Sequence, residues 1–161
     1  MLNLTQKERM LLEDQKIHEE ACVKKYTKYA NEAEDPALSQ MFLQHANQEQ
    51  QHYDTLNQIL SGQLPSMPQG QGQQGQQNQQ SYSQNTMQTA SNSGTYSQKD
   101  ADLCQDLLTT EKYVSSTYNT TIFECIDTNI RQILNHIQKE EQEHGEDISS
   151  YMISKGMYNP Q

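Results

Sequence analysis

The sequence contains one helical pattern twice, and this repeat limits the folds that the chain can adopt. In both copies apolar residues recur at spacings of three and four, which is the periodicity of a helix with one buried face. Residues 19–56 align with residues 111–148 at a constant offset of 92 positions and without a gap. We therefore predict a pair of helices that occurs twice, packed as two hairpins around one core.

Residues that begin and end helices predict four of them. Thr5-x-x-Glu8 is a capping box before the first helix, and Asp35-Pro36 is a typical start for the second. Ser97 and Asp127 are the corresponding caps of the third and fourth helices, and Gly156 is a stop signal after the fourth. The predicted hairpins cover residues 5–60 and 98–155 of a single domain, residues 1–161.

The face of each helix that is predicted to be buried follows from the same spacing. Equivalent positions of the two copies fall on equivalent faces, which indicates that both hairpins contribute to one core. These positions are Leu12, Gln15, Glu19, Cys22, Tyr26 and Ala30; Leu38, Phe42, His45, Glu49, His52, Leu56 and Ile59; Cys104, Leu107, Glu111, Val114, Tyr118 and Ile122; and Ile130, Leu134, Ile137, Glu141, His144, Ile148 and Tyr151.

A long segment without charge separates the two copies. From Thr55 to Gln98 the chain has no Asp, Glu, Lys or Arg, and it consists mostly of Gln, Gly, Ser and Asn. Such a segment cannot bury enough apolar surface to offset the entropy of ordering it, so we predict a disordered linker over Gly62 to Ser97. A linker of this length can cross the whole bundle. The predicted fold is therefore all-α, a ferritin-like four-helix bundle of two antiparallel hairpins joined by a long disordered crossover.

Composition excludes two classes of partner. The chain has 21 acidic and 11 basic residues and a formal net charge of -10, whereas a protein surface that binds nucleic acid is basic. No apolar run reaches the about 20 residues of a membrane span, and no signal-peptide core is visible at the N-terminus. We expect no nucleic-acid or membrane partner and synthesis in the cytoplasm. The three cysteines are interpreted as small apolar core residues rather than reactive thiols.

Six residues on the predicted core faces have the chemistry of metal ligands. A buried carboxylate is costly unless it is paired, yet each helix places one glutamate in the core. Two of these glutamates begin a Glu-x-x-His pair, whose members share one helix face. Two divalent ions would neutralise the four carboxylates, and a mixed oxygen and nitrogen ligand set suits iron or manganese, and zinc less selectively. The predicted ligands are Glu19, Glu49, His52, Glu111, Glu141 and His144.

The alternative interpretation of these six residues is a solvated helix surface. A single Glu-x-x-His in a Glu-rich chain is typical of such a surface, but two pairs on matched apolar faces favour a site. Glu20, Glu140 and Glu143 lie off the core faces and are expected in solvent.

Three further residues are predicted to surround the ligands. Tyr26 and Tyr118 lie on the core faces two turns beyond a predicted ligand, and a buried tyrosine hydroxyl needs a partner that a ligand carboxylate would supply. The alternative for both is a plain core aromatic. His45 lies one turn before Glu49, where the other copy has Ile137. It is interpreted as a hydrogen-bonded core histidine, and the alternative is a seventh ligand.

The order Glu, Glu-x-x-His, Glu, Glu-x-x-His resembles the ferritin-like di-iron and di-manganese proteins, which include rubrerythrin and manganese catalase. This resemblance covers both hairpins and carries over only to the six residues named above. The C-terminal sequence SSYMISKGMYNPQ resembles the ending of the spore coat protein F family. That family usually ends with Gly-Trp-Tyr, whereas this chain has Gly156-Met157-Tyr158.

Two functions follow from these resemblances. The second implies a structural protein of the spore coat, made in the mother-cell cytoplasm, with other coat proteins as partners and homo-oligomers as a further option. The first implies a metal-dependent oxidoreductase that acts on peroxide or oxygen. Both are compatible with one bundle that binds two ions of iron or manganese. Whether the chain is an enzyme stays open at this point.

Overall fold

Residues 2–66 and 96–159 are described by a computed structural model, and they form four α-helices. α1 spans Gln6–Glu32, α2 spans Pro36–Leu60, α3 spans Gln98–Glu124 and α4 spans Thr128–Ser154. These described residues contain no strand. The predicted all-α fold with four helices is confirmed.

Each helix begins at a side chain that accepts a hydrogen bond from its first turn. The hydroxyl of Thr5 accepts from the amide of Glu8 at 3.2 Å, and the Glu8 carboxylate accepts from the amide of Thr5 at 2.7 Å, which completes the capping box. Gly156 follows α4 with φ of 73°, a left-handed conformation that glycine adopts without a Cβ clash. The caps of α2, α3 and α4 are Asp35, Ser97 and Asp127.

The helices pack as two antiparallel hairpins that lie side by side. α1 packs on α2 and α3 packs on α4, while α1 also packs on α3 in the antiparallel sense. The end of α2 lies beside the start of α1, where the amide of Leu2 donates to the carbonyl of Gly62 at 3.2 Å. The start of α3 lies at the other end of the bundle, beside the α1–α2 turn. The chain between α2 and α3 therefore joins opposite ends of the bundle.

Most of the predicted linker from Gly62 to Ser97 lies outside the described residues, which omit 67–95. Its two flanks are described. Gly62 has φ of 87° and ends α2, and Pro65 and Ser66 lie against the groove between α2 and α4. Ser97 caps α3.

Two buried carboxylates join the hairpins at opposite ends of the bundle in equivalent ways. Glu8 accepts from the amide of Ile126 in the α3–α4 turn at 2.8 Å. Asp100 accepts from the amides of Glu34 and Asp35 in the α1–α2 turn at 2.8 and 3.0 Å. Glu8 and Asp100 are separated by 92 positions, as are Glu34 and Ile126. An approximate twofold axis therefore relates the two hairpins.

The core follows the predicted faces except near two helix ends. Ile122 and Tyr151, which are predicted to be buried, are only partly buried and pack at the edge of the core. Thr121 and Met152 take the inward positions instead. For Tyr151 the reason is that alternating steps of three and four average 3.5 residues, so the buried face of a 3.6-residue helix drifts over several turns. In α3 the alternation is kept, and the step of three from Tyr118 places Thr121 inward instead of Ile122. Cys22, Cys104 and Cys125 are all buried and free, and burial raises the pKa of Cys104 to about 12.

Asp35 connects the start of α2 to the end of α4. One carboxylate oxygen accepts from the amide of Ala37 at 2.8 Å. The other lies 2.7 Å from Lys155 Nζ and accepts from the Tyr151 hydroxyl at 2.9 Å. The contact with Lys155, followed by those with Ala37 and Tyr151, lowers the pKa of Asp35 from 3.8 to about 2.

We expect Asp35→Ala to lower the free energy of unfolding by about 1 kcal/mol at neutral pH, because α2 loses its N-cap. Since the folded-state pKa is depressed, the charge-dependent part of this loss is present above pH 3.8 and disappears as the pH falls toward 2. Urea unfolding at several pH values measures the difference between wild type and variant. Asp54→Ala, an exposed aspartate within α2, is the control, and a pH-independent difference would contradict the ion-pair contribution.

Candidate metal centre

All six residues predicted as metal ligands lie together in the middle of the bundle core. Every one of these side chains is buried, with at most 3% of its surface exposed. α1 and α3 each contribute one glutamate, whereas α2 and α4 each contribute a glutamate and a histidine from one face. The residues are Glu19, Glu49, His52, Glu111, Glu141 and His144.

The six residues form two overlapping groups of four. Glu19, Glu49, His52 and Glu141 are the first group, and Glu49, Glu111, Glu141 and His144 are the second. In each group one ligand atom per residue lies within 4.8 Å of the others. Two glutamates belong to both groups, and each group adds one glutamate and one histidine of its own. This arrangement suits two cations that share two bridging carboxylates.

His52 turns its two ring nitrogens toward different partners. Nδ1 lies inside the cluster, 2.9 Å from Glu141 Oε1 and 3.5 Å from Glu19 Oε2. Nε2 lies 2.8 Å from Glu140 Oε2. An acceptor at Nε2 favours the proton on that nitrogen and leaves the lone pair of Nδ1 free for a cation.

His144 repeats this geometry on the opposite helix. Nδ1 lies 3.1 Å from Glu49 Oε1, and Nε2 lies 3.0 Å from the side-chain oxygen of Gln48. Gln48 and Glu140 are equivalent positions of the two copies, each directly before the glutamate of a Glu-x-x-His pair. Neither residue was predicted to contact a histidine, although their equivalent positions in the two copies could have indicated these contacts.

Glu140 corrects an expectation, because it was predicted to lie in solvent. Its side chain is 24% exposed and reaches across the α2–α4 interface to His52. The contact with His52 lowers the pKa of the Glu140 carboxyl. Glu20 and Glu143 are exposed, as expected, and pair with Lys24 and Lys139 on the surface.

Two tyrosines connect the hairpins at the centre. The Tyr26 hydroxyl donates to Glu111, and the Tyr118 hydroxyl donates to Glu19. Each tyrosine thus holds the unshared glutamate of the other hairpin, and both rings are fully buried. Burial raises the pKa of both hydroxyls well above 10, so they remain protonated donors.

His45 lies beside the cluster but belongs to neither group of four. Its ring stacks on His144 with centroids 4.3 Å apart, and its Nε2 lies 3.1 Å from Asp147 Oδ2. Burial lowers its pKa, which favours the neutral imidazole. The structure places His45 as a buried, hydrogen-bonded histidine that supports the ring of a predicted ligand.

The electrostatics of the cluster show that it cannot hold four bare negative charges. Burial raises the pKa of Glu19 to about 8 and that of Glu141 well above 4.5. Although burial alone would lower it, contacts with Glu111 and Glu49 raise the pKa of His144 to about 9. Protons on these groups compensate for the charge that cations would otherwise neutralise.

Several buried atoms in and beside the cluster make no hydrogen bond of normal geometry, even where another ligand atom lies close, and such atoms are rare in folded proteins. One is His45 Nδ1, and each of the others is a carboxylate oxygen or a ring nitrogen of a predicted ligand, which is the atom type that a cation would bind. A donor set of this kind fits two transition-metal ions. The atoms on predicted ligands are Glu19 Oε2, Glu49 Oε2, His52 Nδ1, Glu111 Oε2 and both carboxylate oxygens of Glu141.

Comparison with known protein families gives a match in the second hairpin. Residues 99–161 match the Coat F domain. The matched segment carries Glu111, Glu141 and His144. The match supports a spore coat protein and the likeness seen in the C-terminal sequence.

The first hairpin lies outside this Coat F match. No curated protein and no solved structure matches the chain. Among the described helices, none combines the length and the apolar character needed to cross a membrane.

We expect Tyr26→Phe to lower the free energy of unfolding by about 1–3 kcal/mol, because the buried carboxylate of Glu111 loses its only phenolic donor. Tyr29→Phe is the matched control. It removes a hydroxyl from the same helix, but this hydroxyl donates to Asp106 at the surface, so the expected loss is below about 0.5 kcal/mol. Urea denaturation of metal-free protein compares the two, and equal losses would contradict the central role of Tyr26.

Proposed function

We propose that this protein is a spore coat component whose ferritin-like bundle binds two transition-metal ions, iron or manganese. The single observation that carries the metal site is the pair of four-residue groups that share Glu49 and Glu141. If these six residues only formed ion pairs between helices, there would be no reason to bury all of them with donor atoms that lack partners. The Coat F match in the second hairpin supports the coat, with other coat proteins as partners.

The ferritin-like assignment is supported by the path of the chain. α1 is antiparallel to both α2 and α3, so one long connection must join opposite ends of the bundle. Four-helix proteins with a single long crossover and inward Glu and Glu-x-x-His residues are the group that binds paired iron or manganese ions.

The residues divide into two roles. Glu19 with His52 and Glu111 with His144 would each hold one ion, and the shared glutamates would bridge them. Tyr26 and Tyr118 keep two of the carboxylates in place, and apolar core layers lie on either side of the cluster. Bound iron or manganese would supply electron exchange with peroxide or oxygen.

We expect protein reconstituted with Fe(II) or Mn(II) to retain two ions per chain, as measured by elemental analysis after free metal is removed. Glu141→Gln removes one charge from a bridging position and should abolish the binding of both ions. Glu143→Gln, an exposed neighbour on the same helix, should bind like the wild type. A wild-type protein that retains neither metal would overturn the proposed site.

Metal should also stabilise the fold. Ligand linkage predicts a gain of about 2.7 kcal/mol when free metal is 100-fold above its dissociation constant. A chelator should therefore lower the melting temperature of the wild type and leave that of Glu141→Gln unchanged.

A second candidate function is a metal-dependent oxidoreductase that acts on peroxide or oxygen, as in rubrerythrin-like or manganese-catalase-like proteins. It is favoured by a cluster whose donors are carboxylates and imidazoles, a set that suits metals with accessible redox states. Cys22 lies near the cluster, but burial raises the pKa of its thiol, which therefore does not offer a thiolate ligand.

We expect that, if the centre is catalytic, peroxide will change the valence of the bound metal and will be consumed over many turnovers. Electron paramagnetic resonance and peroxide consumption measure the two effects on the same sample. Glu143→Gln should retain both, whereas Glu141→Gln should lose both. Bound metal that keeps its valence and does not consume peroxide would assign the centre a purely structural role.

A further inference from the structure

One face of the bundle is open above the metal centre. Between α3 and α4 lies a groove of about 690 Å³, and its lining includes Glu111 and Glu141. Glu111 Oε2 and both carboxylate oxygens of Glu141 are buried atoms without a hydrogen-bond partner. This α3/α4 groove therefore ends at two side chains of the cluster, whose donor atoms lie buried just beneath its floor.

The remaining lining of the α3/α4 groove mixes apolar and polar groups. Gly145 has no side chain, and Glu146 and Lys112 place charges of both signs along the groove. A small cation that enters would pass the side-chain oxygens of serine, asparagine and glutamine residues. The other lining residues are Leu108, Ser115, Ser116, Asn119, Gln138, Gln142 and Ser149.

The equivalent face of the first hairpin is closed. There Tyr53 stands in place of Gly145, and Val23 in place of Ser115, at the same offset of 92 positions. The remaining depression between α1 and α2 has a volume of about 260 Å³, and neither Glu19 nor Glu49 lines it. The difference between the two faces thus arises from a few substitutions between copies.

A third opening lies between α2 and α4 and is narrower. Its volume is about 110 Å³, and its lining includes His52 and Glu140. Pro65 and Ser66, from the chain after α2, also line it. This opening is therefore a second, smaller route by which a cation could reach the cluster.

The local packing does not require a glycine at position 145. A Cβ at this position would meet Leu108 Cδ1 at 3.7 Å and Glu111 Cβ at 4.0 Å, which are ordinary contacts. Glycine within a helix is also less stable than alanine. What glycine provides here is an opening directly above Glu111.

We propose that the α3/α4 groove is the entrance of the metal centre, through which divalent cations reach the position formed by Glu111, Glu141 and His144. Gly145 keeps this entrance open, and Tyr53 closes its counterpart on the first hairpin. The inference rests on the proposed metal site. It adds that the centre is loaded from one side, by species small enough to pass a groove lined with serines and asparagine.

The experiment follows Co²⁺ uptake by metal-free protein in a stopped-flow spectrometer, because cobalt absorbs visible light when protein ligands replace its water. Gly145→Tyr copies the closed face. It should slow uptake by roughly tenfold or more without changing the final absorbance, since a side chain must swing aside before each entry. Tyr53→Phe keeps an aromatic ring on the equivalent face of the first hairpin and should leave the rate of Co²⁺ uptake unchanged.

The double variant Tyr53→Gly/Gly145→Tyr moves the opening to the other hairpin and should restore rapid uptake. Circular dichroism and the melting temperature show whether each variant is folded. If Gly145→Tyr does not fold, the single variant Tyr53→Gly tests the entrance instead. It should open a second entrance on the first hairpin and raise the uptake rate above that of the wild type.

The possible failures are distinguishable. A wild type that takes up no Co²⁺ would overturn the proposed metal site itself. A wild type that loads normally, together with a folded Gly145→Tyr that loads at the same rate, would overturn the α3/α4 entrance and favour the α2/α4 opening at His52. An unchanged rate in Tyr53→Gly would likewise show that the width at these positions does not control entry.

Discussion

The burial of four carboxylates at one level of a helical core is the constraint on which this structure depends. Each unpaired charge in such a place costs several kcal/mol, and the buried residues of the described helices include histidines but no lysine or arginine. Tyr26 and Tyr118 supply one hydrogen bond each, which leaves further carboxylate oxygens without partners. In the proposed centre, two cations would offset the cost of burying this cluster.

Neither hairpin can build this centre alone. The second hairpin, which matches the Coat F domain, contributes Glu111, Glu141 and His144, and the first hairpin contributes the other half of the proposed ligands. The hairpins also support each other's ligands, because Tyr26 holds Glu111 across the α1–α3 interface. At the two ends of the bundle, Glu8 and Asp100 bind the turn of the opposite hairpin. The centre and the fold therefore depend on the same interface between hairpins.

How far the sequence could predict this structure depends on the range of each interaction. The helices and the six inward residues follow from local spacing and caps, and the structure places Glu49 and His52 on one face, as that spacing requires. The contact between Glu140 and His52 depends on how α2 meets α4, which the spacing within a single helix does not give. Tyr151 was misplaced because a small error in helical period accumulates over several turns.

The two halves of the centre are equivalent in their ligands but not in their surroundings. His52 is backed by the carboxylate of Glu140, whereas His144 is backed by the neutral amide of Gln48 and stacks on His45. An imidazole whose N–H faces an anionic carboxylate is a more basic metal ligand than one whose N–H faces a neutral amide. The half with His52 borders the narrower α2/α4 opening of about 110 Å³, while Glu111, from the half with His144, lines the larger α3/α4 groove. In the proposed centre, the first half is therefore the one suited to retain its ion, and the second is the one suited to exchange and react.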